Sequence, residues 1–92
     1  MNSFMFLLPW EEYLSTPHNI LWERLDTNRI VVAHIQYDDG DNTYSFYIYF
    51  NNIHKNYFAR HFINIDEAKN KCDLQLSKLG YQFITQAIAN LL

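Results

Sequence analysis

The chain has 92 residues, of which 49% are hydrophobic and 18% are charged, and its formal net charge is −3 at pH 7. This length leaves room for one domain, and the composition is that of a folded protein rather than a disordered tail. An acidic chain is a poor candidate for a protein whose main affinity comes from neutralising phosphates.

The cysteine content and the distribution of apolar residues indicate where in the cell the protein is located. Cys72 is the single cysteine, so an internal disulfide is excluded, and we expect a reducing, cytoplasmic location. The N-terminal stretch lacks the basic region and the small-residue cleavage site of a signal peptide. No apolar run approaches the length of a transmembrane helix, so we expect no association with a membrane.

Residues 1–16 are predicted to be an apolar segment that ends in a short helix. Pro9 suits the first turn of a helix, where the missing N–H costs nothing. Trp10, Tyr13 and Leu14 then recur at positions i, i+3 and i+4, a spacing that places them on one side of a helix. An alternative role for the apolar residues before Pro9 is docking on a larger assembly.

The middle of the chain, residues 20–62, is predicted to form an antiparallel sheet of three or four strands. Strand-like runs alternate with turn-forming segments, and Asp39-Gly40 is a favourable hairpin centre. The first run alternates imperfectly, so we expect it to be a short edge strand. The predicted strands are 20–26, 29–37, 43–50 and 57–62.

Alternation within these runs predicts which side chains share a face, because successive residues of a strand point to opposite sides. In the last strand, Phe58 and Phe62 are the expected inward pair. The predicted core-facing residues of the two middle strands are Val31, Ala33, Ile35, Tyr37, Tyr44, Phe46, Ile48 and Phe50. The predicted outward residues are Ile30, Val32, His34, Gln36, Thr43, Ser45, Tyr47 and Tyr49.

The clearest pattern in the chain predicts a helix over residues 64–79. Asn64 can cap it, and Glu67 three residues later can complete a capping box. An apolar stripe follows at helical spacing, and Gly80 can end the helix. The stripe consists of Ile65, Ala68, Cys72, Leu76 and Leu79. Residues 81–92 are predicted to form a shorter helix, with a strand over 81–85 as the alternative.

These elements predict an α+β fold, in which a three- to four-stranded antiparallel meander has one capped amphipathic helix on one face and a short C-terminal helix. The run FINIDEAKNKCDLQLSKLGY, residues 62–81, resembles small phage and bacterial accessory proteins in which a meander leads into a capped helix. The resemblance is architectural and covers about half the chain. It implies no functional residues. Such small acidic proteins, inhibitors of host defence complexes among them, often occupy a basic surface of a partner.

The outward face of the sheet is the candidate site. Tyrosine suits a half-exposed strand, where its hydroxyl stays hydrated, but it is also enriched at the centres of interfaces. We therefore predict a non-enzymatic protein-interaction domain that binds a protein partner or a second copy of itself. The predicted binding residues are His34, Gln36, Tyr47 and Tyr49, with Asp38, Asp39 and Asp41 at the rim. Coverage of this face by residues 1–16 would remove the hypothesis.

A small nucleic-acid-binding protein is the alternative, because a sheet with one helix can lie in a groove and its aromatic face can stack bases. Its phosphate contacts would be Lys55, Arg60, Lys69 and Lys71. The basic residues are scattered along the sequence, however, and no RNP-like run is present. The sequence favours the protein-interaction hypothesis.

We expect no enzyme, metal site or cofactor. No motif joins a nucleophile, a base and oxyanion donors, and the position of Cys72 in the apolar stripe is typical of a small core residue. His34, His54 and His61 could in principle form a three-histidine site, but their spacing has no established ligand logic. The acidic segment after residue 37 lacks the spacing of an EF-hand loop, so a solvated turn is expected.

Overall fold

A computed structural model describes residues 6–16, 19–38, 40–49 and 57–91. Within these residues, strands β2 to β6 form a five-stranded antiparallel sheet whose spatial order follows the chain, and β1 and β7 form a separate parallel pair. The α+β prediction is confirmed, with more strands than expected. The elements are β1 Phe6–Leu7, β2 Glu11–Thr16, β3 Asn19–Leu25, β4 Val31–Asp38, β5 Thr43–Ile48, β6 Tyr57–Phe62, α1 Ile65–Lys78, β7 Gln82–Phe83 and α2 Gln86–Ala89.

The prediction of a short helix ending at residue 16 is wrong, because Glu11–Thr16 is the edge strand β2. It pairs antiparallel with β3, with Glu11 opposite Glu23 and Glu12 opposite Trp22. A one- or two-turn helix satisfies few of its own backbone groups and is expensive to nucleate, whereas pairing with β3 satisfies them along a ladder. The segment predicted as an edge strand, β3, consequently lies inside the sheet between β2 and β4.

Helix α1 has the predicted cap and packs across one face of the sheet. The Asn64 side-chain oxygen accepts a hydrogen bond from the Glu67 backbone N–H at 2.7 Å. Ala68, Cys72 and Leu76 are fully buried, as the stripe predicts. Leu79 is 42% exposed, because the helix ends at Lys78 and Gly80 then adopts a φ of 97° that turns the chain away.

The hydrophobic core lies between α1 and the central strands. Phe46, Ile48, Ala33 and Ile35 from β4 and β5 are buried with the helix stripe, and the ring of Phe46 stacks on that of Phe62 with centroids 5.6 Å apart. Burying such a ring removes about 150–250 Å² from water. The inward role of Phe62 is confirmed, whereas the Phe58 side chain and all of Phe50 lie outside the described residues.

The two ends of the described chain join beside this core. Leu7 is fully buried in the core cluster, so it belongs to this domain's own interior rather than to a free docking segment. The Ile84 N–H donates to the Leu7 carbonyl at 2.9 Å, and the Leu8 N–H donates to the Leu25 carbonyl at 2.8 Å. The predicted helix over residues 81–92 is therefore too long: a strand, β7, comes first, and α2 follows from Gln86.

A buried arginine ties these parts together. Arg24 is 6% exposed, and its guanidinium makes two contacts to the Asp73 carboxylate of α1, at 3.2 and 3.1 Å. It also donates to the Leu8 carbonyl and lies 5.3 Å from the ring centroid of Trp10 and 4.5 Å from that of Phe83. We call this cluster the Arg24 site. It holds Leu8 and Trp10 on the helix side of the sheet.

Candidate functional site

The register of β4 and β5 separates the two faces of the sheet as predicted. Ile35 lies opposite Phe46 and Ala33 opposite Ile48, whereas His34 lies opposite Tyr47. Because directly opposite residues of an antiparallel pair share a face, the second set points away from α1. We call this surface the polar face; its residues are Glu23, His34, Gln36, Asp38, Ser45, Tyr47 and Tyr49.

One pair of residues is assigned to the wrong faces by simple alternation. Arg24 pairs with Ala33 and the next residue, Leu25, pairs with Val31, so Val32 is the extra residue of a β-bulge. Val32 is therefore 5% exposed and belongs to the core, while Val31 lines a hollow on the polar face. A bulge depends on the partner strand, which the alternation of β4 alone does not report.

The side chains of the polar face form a continuous chain of hydrogen bonds. The Tyr49 hydroxyl bonds to His34 Nδ1, and His34 Nε2 lies 3.3 Å from Gln36 Oε1. Gln36 Nε2 then donates to Asp38 Oδ1 at 3.0 Å. The Ser45 hydroxyl donates to the other oxygen of the same carboxylate. Two neighbouring strands are thus linked through their side chains as well as through their backbones.

One protonation state satisfies every member of this chain. A neutral His34 with its proton on Nε2 donates to Gln36 and accepts from the Tyr49 hydroxyl. Burial lowers the pKa of His34, and the bond to Gln36 and the Glu23 carboxylate only partly oppose that effect. Burial also raises the pKa of Tyr49, with smaller contributions from Glu23 and Tyr47. At neutral pH, the imidazole is therefore uncharged and the phenol keeps its proton.

The rings on this face are packed against one another. The His34 and Tyr47 rings stack with centroids 4.8 Å apart and an interplanar angle of 23°. The Tyr49 ring is tilted relative to that of His34, with centroids 5.4 Å apart. These three residues remain only partly buried. The arrangement holds large rings in place while leaving part of their surface accessible, which reduces the side-chain entropy that a binding event would cost.

Of the three aspartates predicted at the rim, the structure describes Asp38 and Asp41, and both are hydrogen-bonded within the chain. Asp38 ends the hydrogen-bond chain and is engaged with Gln36 and Ser45. Asp41 accepts from the Thr43 hydroxyl at 2.6 Å and lies 3.3 Å from His61 Nδ1. The Thr43 hydroxyl is the main reason why the pKa of Asp41 is lowered. Asp39 lies outside the described residues.

Glu23 belongs to the site although it is absent from the sequence prediction. It lies opposite His34 on one side and opposite Glu11 on the other, so two carboxylates flank the rings at this end of the polar face. The weak alternation of residues 20–26 gave no face assignment for this strand. Its register with β4 supplies that assignment.

The described residues of the polar face line two hollows, one beside His34 and Tyr49 and one beside Tyr47. The larger, of about 490 Å³, is lined by Glu23, Val31, His34, Gln36 and Tyr49; we call it the Glu23 hollow. The smaller, of about 280 Å³, is lined by Asp38, Gly40, Asp41, Ser45, Tyr47 and Arg60. The stacked rings of His34 and Tyr47 thus lie between the two hollows.

The N-terminal segment does not cover this face within the described residues. Leu7 lies in the core, and Trp10 Nε1 donates to Asp73 of α1 at 3.1 Å. The strand that follows, β2, extends the sheet at its edge, where β3 and β4 separate it from β5. Residues 6–16 therefore leave the polar face uncovered.

The candidate phosphate contacts do not form one patch. Lys69 Nζ lies 5.5 Å from the ring centroid of Trp22 on the helix side of the sheet, and Lys71 is exposed on the same helix. Arg60 instead lines the smaller hollow on the polar face, beside two aspartates. Lys55 lies outside the described residues. The described basic residues are split between the two sides of the sheet.

The other potentially reactive side chains, the cysteine and the remaining histidines, do not lie together with His34 in the described residues. Cys72 is fully buried, and burial raises the pKa of its thiol well above the usual range, so its assignment to the core is confirmed. His61 points to Asp41 rather than to His34, and His54 lies outside the described residues. Within the described ranges, no group of three histidine, cysteine or acidic side chains is arranged to hold a metal ion.

Helices in the described part of the chain are too short or too polar to cross a membrane. Comparison of the chain with protein-family models, curated proteins and solved structures gives no match in any of the three. The functional argument therefore depends on the geometry and chemistry of the polar face.

Proposed function

We propose that this chain is a small non-enzymatic interaction domain that binds a basic surface of a protein partner through the polar face. The observation that carries this proposal is the ordered but half-exposed group of His34, Tyr47 and Tyr49 rings. On the opposite side of the sheet, α1, Leu7 and Trp10 pack against the core strands. One aromatic face thus serves the fold and the other remains for a ligand.

The energetic basis is preorganisation. Interface affinity is reduced by about 0.5–1.5 kcal/mol for each rotamer-rich side chain that binding must immobilise. On the polar face, the hydrogen bonds from Tyr49 through His34 and Gln36 to Asp38 already fix the side chains. Tyrosine rings held in this way offer a large contact area at low entropic cost.

The charge around the rings favours a basic partner. Glu11, Glu23, Asp38 and Asp41 lie on or beside the polar face, and the net charge of the chain is −3. Complementary charge accelerates encounter and excludes wrong partners more than it adds affinity. A cytoplasmic phage or bacterial accessory protein, or an inhibitor that occupies a basic surface of a host complex, fits this chemistry.

The direct test removes both tyrosines. Wild type and a Tyr47→Ala, Tyr49→Ala double variant are compared by capture from native lysate with chemical cross-linking and by light scattering for self-association. The matched control is Lys71→Ala, Leu74→Ala on the exposed side of α1. Near-UV circular dichroism confirms the fold, and Tyr47→Lys serves as a second variant if the double variant unfolds.

We expect the partner, or the dimer, to be lost with either tyrosine variant and kept with the control. A strict monomer whose double variant retains every cross-linked partner would contradict the proposal. Titration with single- and double-stranded nucleic acid at two salt concentrations separates the alternative. Salt-sensitive binding that disappears on Lys69→Ala, Lys71→Ala would replace protein binding with nucleic-acid binding.

A further inference from the structure

The described part of the molecule contains a complete binding site for a guanidinium group, which shows the contacts that such a group can make in this fold. In the Arg24 site, a carboxylate takes two N–H donors from Arg24, a carbonyl oxygen takes another, and the rings of Trp10 and Phe83 lie on the guanidinium. These are the contacts that suit the flat, delocalised and weakly hydrated arginine head group.

The Glu23 hollow on the other side of the sheet has the same classes of lining group. It offers the Glu23 carboxylate, the Tyr49 and His34 rings, the side-chain amide of Gln36 and the aliphatic wall of Val31 in a volume of about 490 Å³. Among the described residues, its lining contains no lysine or arginine. A carboxylate, aromatic surfaces and an amide thus converge where no cation of the described chain lines the wall.

We propose that the Glu23 hollow receives an arginine side chain of the protein partner, with its guanidinium paired to the Glu23 carboxylate and stacked on the Tyr49 ring. This inference rests on the proposed function and specifies the partner's chemistry. Arginine suits the site better than lysine because a planar guanidinium can stack and pair at once. An anionic ligand is disfavoured because Glu11 lies opposite Glu23 and adds a second negative charge.

The state of His34 is compatible with a cationic ligand at neutral pH. The groups that face it are Glu23 from β3, Tyr47 and Tyr49 from β5, and Gln36 on its own strand. Burial keeps the pKa of His34 below its usual value, so the ring carries no charge that would repel a guanidinium. Protonation in acid places a positive charge in the lining and is expected to weaken binding.

The probes are three short capped peptides, Ac-Gly-X-Gly-NH2, in which X is arginine, lysine or citrulline. Citrulline keeps the shape of arginine and removes its charge. Binding to the full chain is followed by NMR, through backbone amide signals and the aromatic signals of His34 and Tyr49. The variant is Glu23→Gln, and the matched control is Glu12→Gln, whose side chain is exposed on the neighbouring strand and pairs in register with core-side Trp22.

The arginine peptide is expected to shift the signals of Glu23, His34 and Tyr49, with weaker shifts from lysine and none from citrulline. Glu23→Gln should reduce the affinity for the arginine peptide about tenfold, which is the low end for losing a hydrogen bond to a charged group, and Glu12→Gln should leave it unchanged. Equal binding of the lysine and arginine peptides, an unaffected Glu23→Gln variant, or no shift at about 10 mM peptide would overturn the assignment.

Failure of this inference is distinguishable from failure of the proposed function. A partner that is captured equally by wild type and Glu23→Gln but is lost from Tyr47→Ala, Tyr49→Ala leaves the polar face as the interface and removes arginine from the hollow. A partner that is lost from both variants supports both statements. A partner retained by all variants overturns both.

Discussion

The two faces of the sheet order their aromatic residues in different ways. Phe46 is 1% exposed on the helix side, where it packs against Phe62 and the stripe of α1. Its chain neighbour Tyr47 lies on the polar face, stacked on His34 and still partly accessible. Burial against apolar neighbours fixes the first ring, and contacts with hydrogen-bonded neighbours fix the second. Adjacent residues of one strand are therefore ordered by different physical means, and only the second ring is left for the recognition that we propose.

The largest expected effect comes from truncating these neighbouring rings in turn. Phe46→Ala should lower the free energy of unfolding by about 3–5 kcal/mol, because it removes buried area and leaves a cavity in the core. Tyr47→Ala should lower it by only about 1 kcal/mol, because that ring is not enclosed. Urea denaturation of both variants measures the difference. Equal losses would mean that the polar face is also part of the core.

The next effect concerns the charged groups that the two faces hold. Asp73→Ala should destabilise the protein by about 3 kcal/mol, because it leaves the buried Arg24 side chain without its carboxylate. The control is Asp66→Ala, an exposed acid in the first turn of the same helix, which should cost about 0.5 kcal/mol. Urea midpoints that fall by the same amount in both variants would show that the Arg24 site does not hold the N-terminal segment to the helix.

The smallest expected effect on stability is a pH dependence from His34. Burial lowers its folded-state pKa below the ordinary value of 6.5 for histidine, so the unfolded chain binds more protons than the folded chain as the pH falls below that value. The contribution of His34 to stability is thus complete above about pH 6.5 and is lost as the pH falls towards the folded-state pKa. A His34→Gln variant should lose this part of the slope in urea denaturation between pH 7 and the acid range. A wild-type slope no steeper than that of the variant would contradict the buried, neutral imidazole.

Local patterns predicted the elements whose stability is determined locally. The Asn64 cap and the apolar stripe specify α1 because both lie within a few turns of chain. The separation of His34 and Tyr47 from Ile35 and Phe46 follows from the period of a strand. These features depend on spacing alone, so no knowledge of the partner strands was needed.

The features that local sequence patterns did not predict depend on contacts between segments far apart in the chain. Glu11–Thr16 forms a strand because β3 offers a ladder, although Trp10, Tyr13 and Leu14 have helical spacing. The exchange of faces by Val31 and Val32 comes from a bulge against β3. Arg24 is buried because Asp73, far along the chain, meets it from α1. Glu23 joins the polar face through the same strand register, which no single segment contains.

The most direct test of the account is an interface map of the complex with the captured partner or second copy, measured by NMR cross-saturation on the labelled chain. The account predicts that saturation reaches His34, Tyr47 and Tyr49 on β4 and β5 and spares the exposed side of α1 around Lys71 and Leu74. Saturation concentrated on that side of α1, with the three rings unaffected, would contradict it.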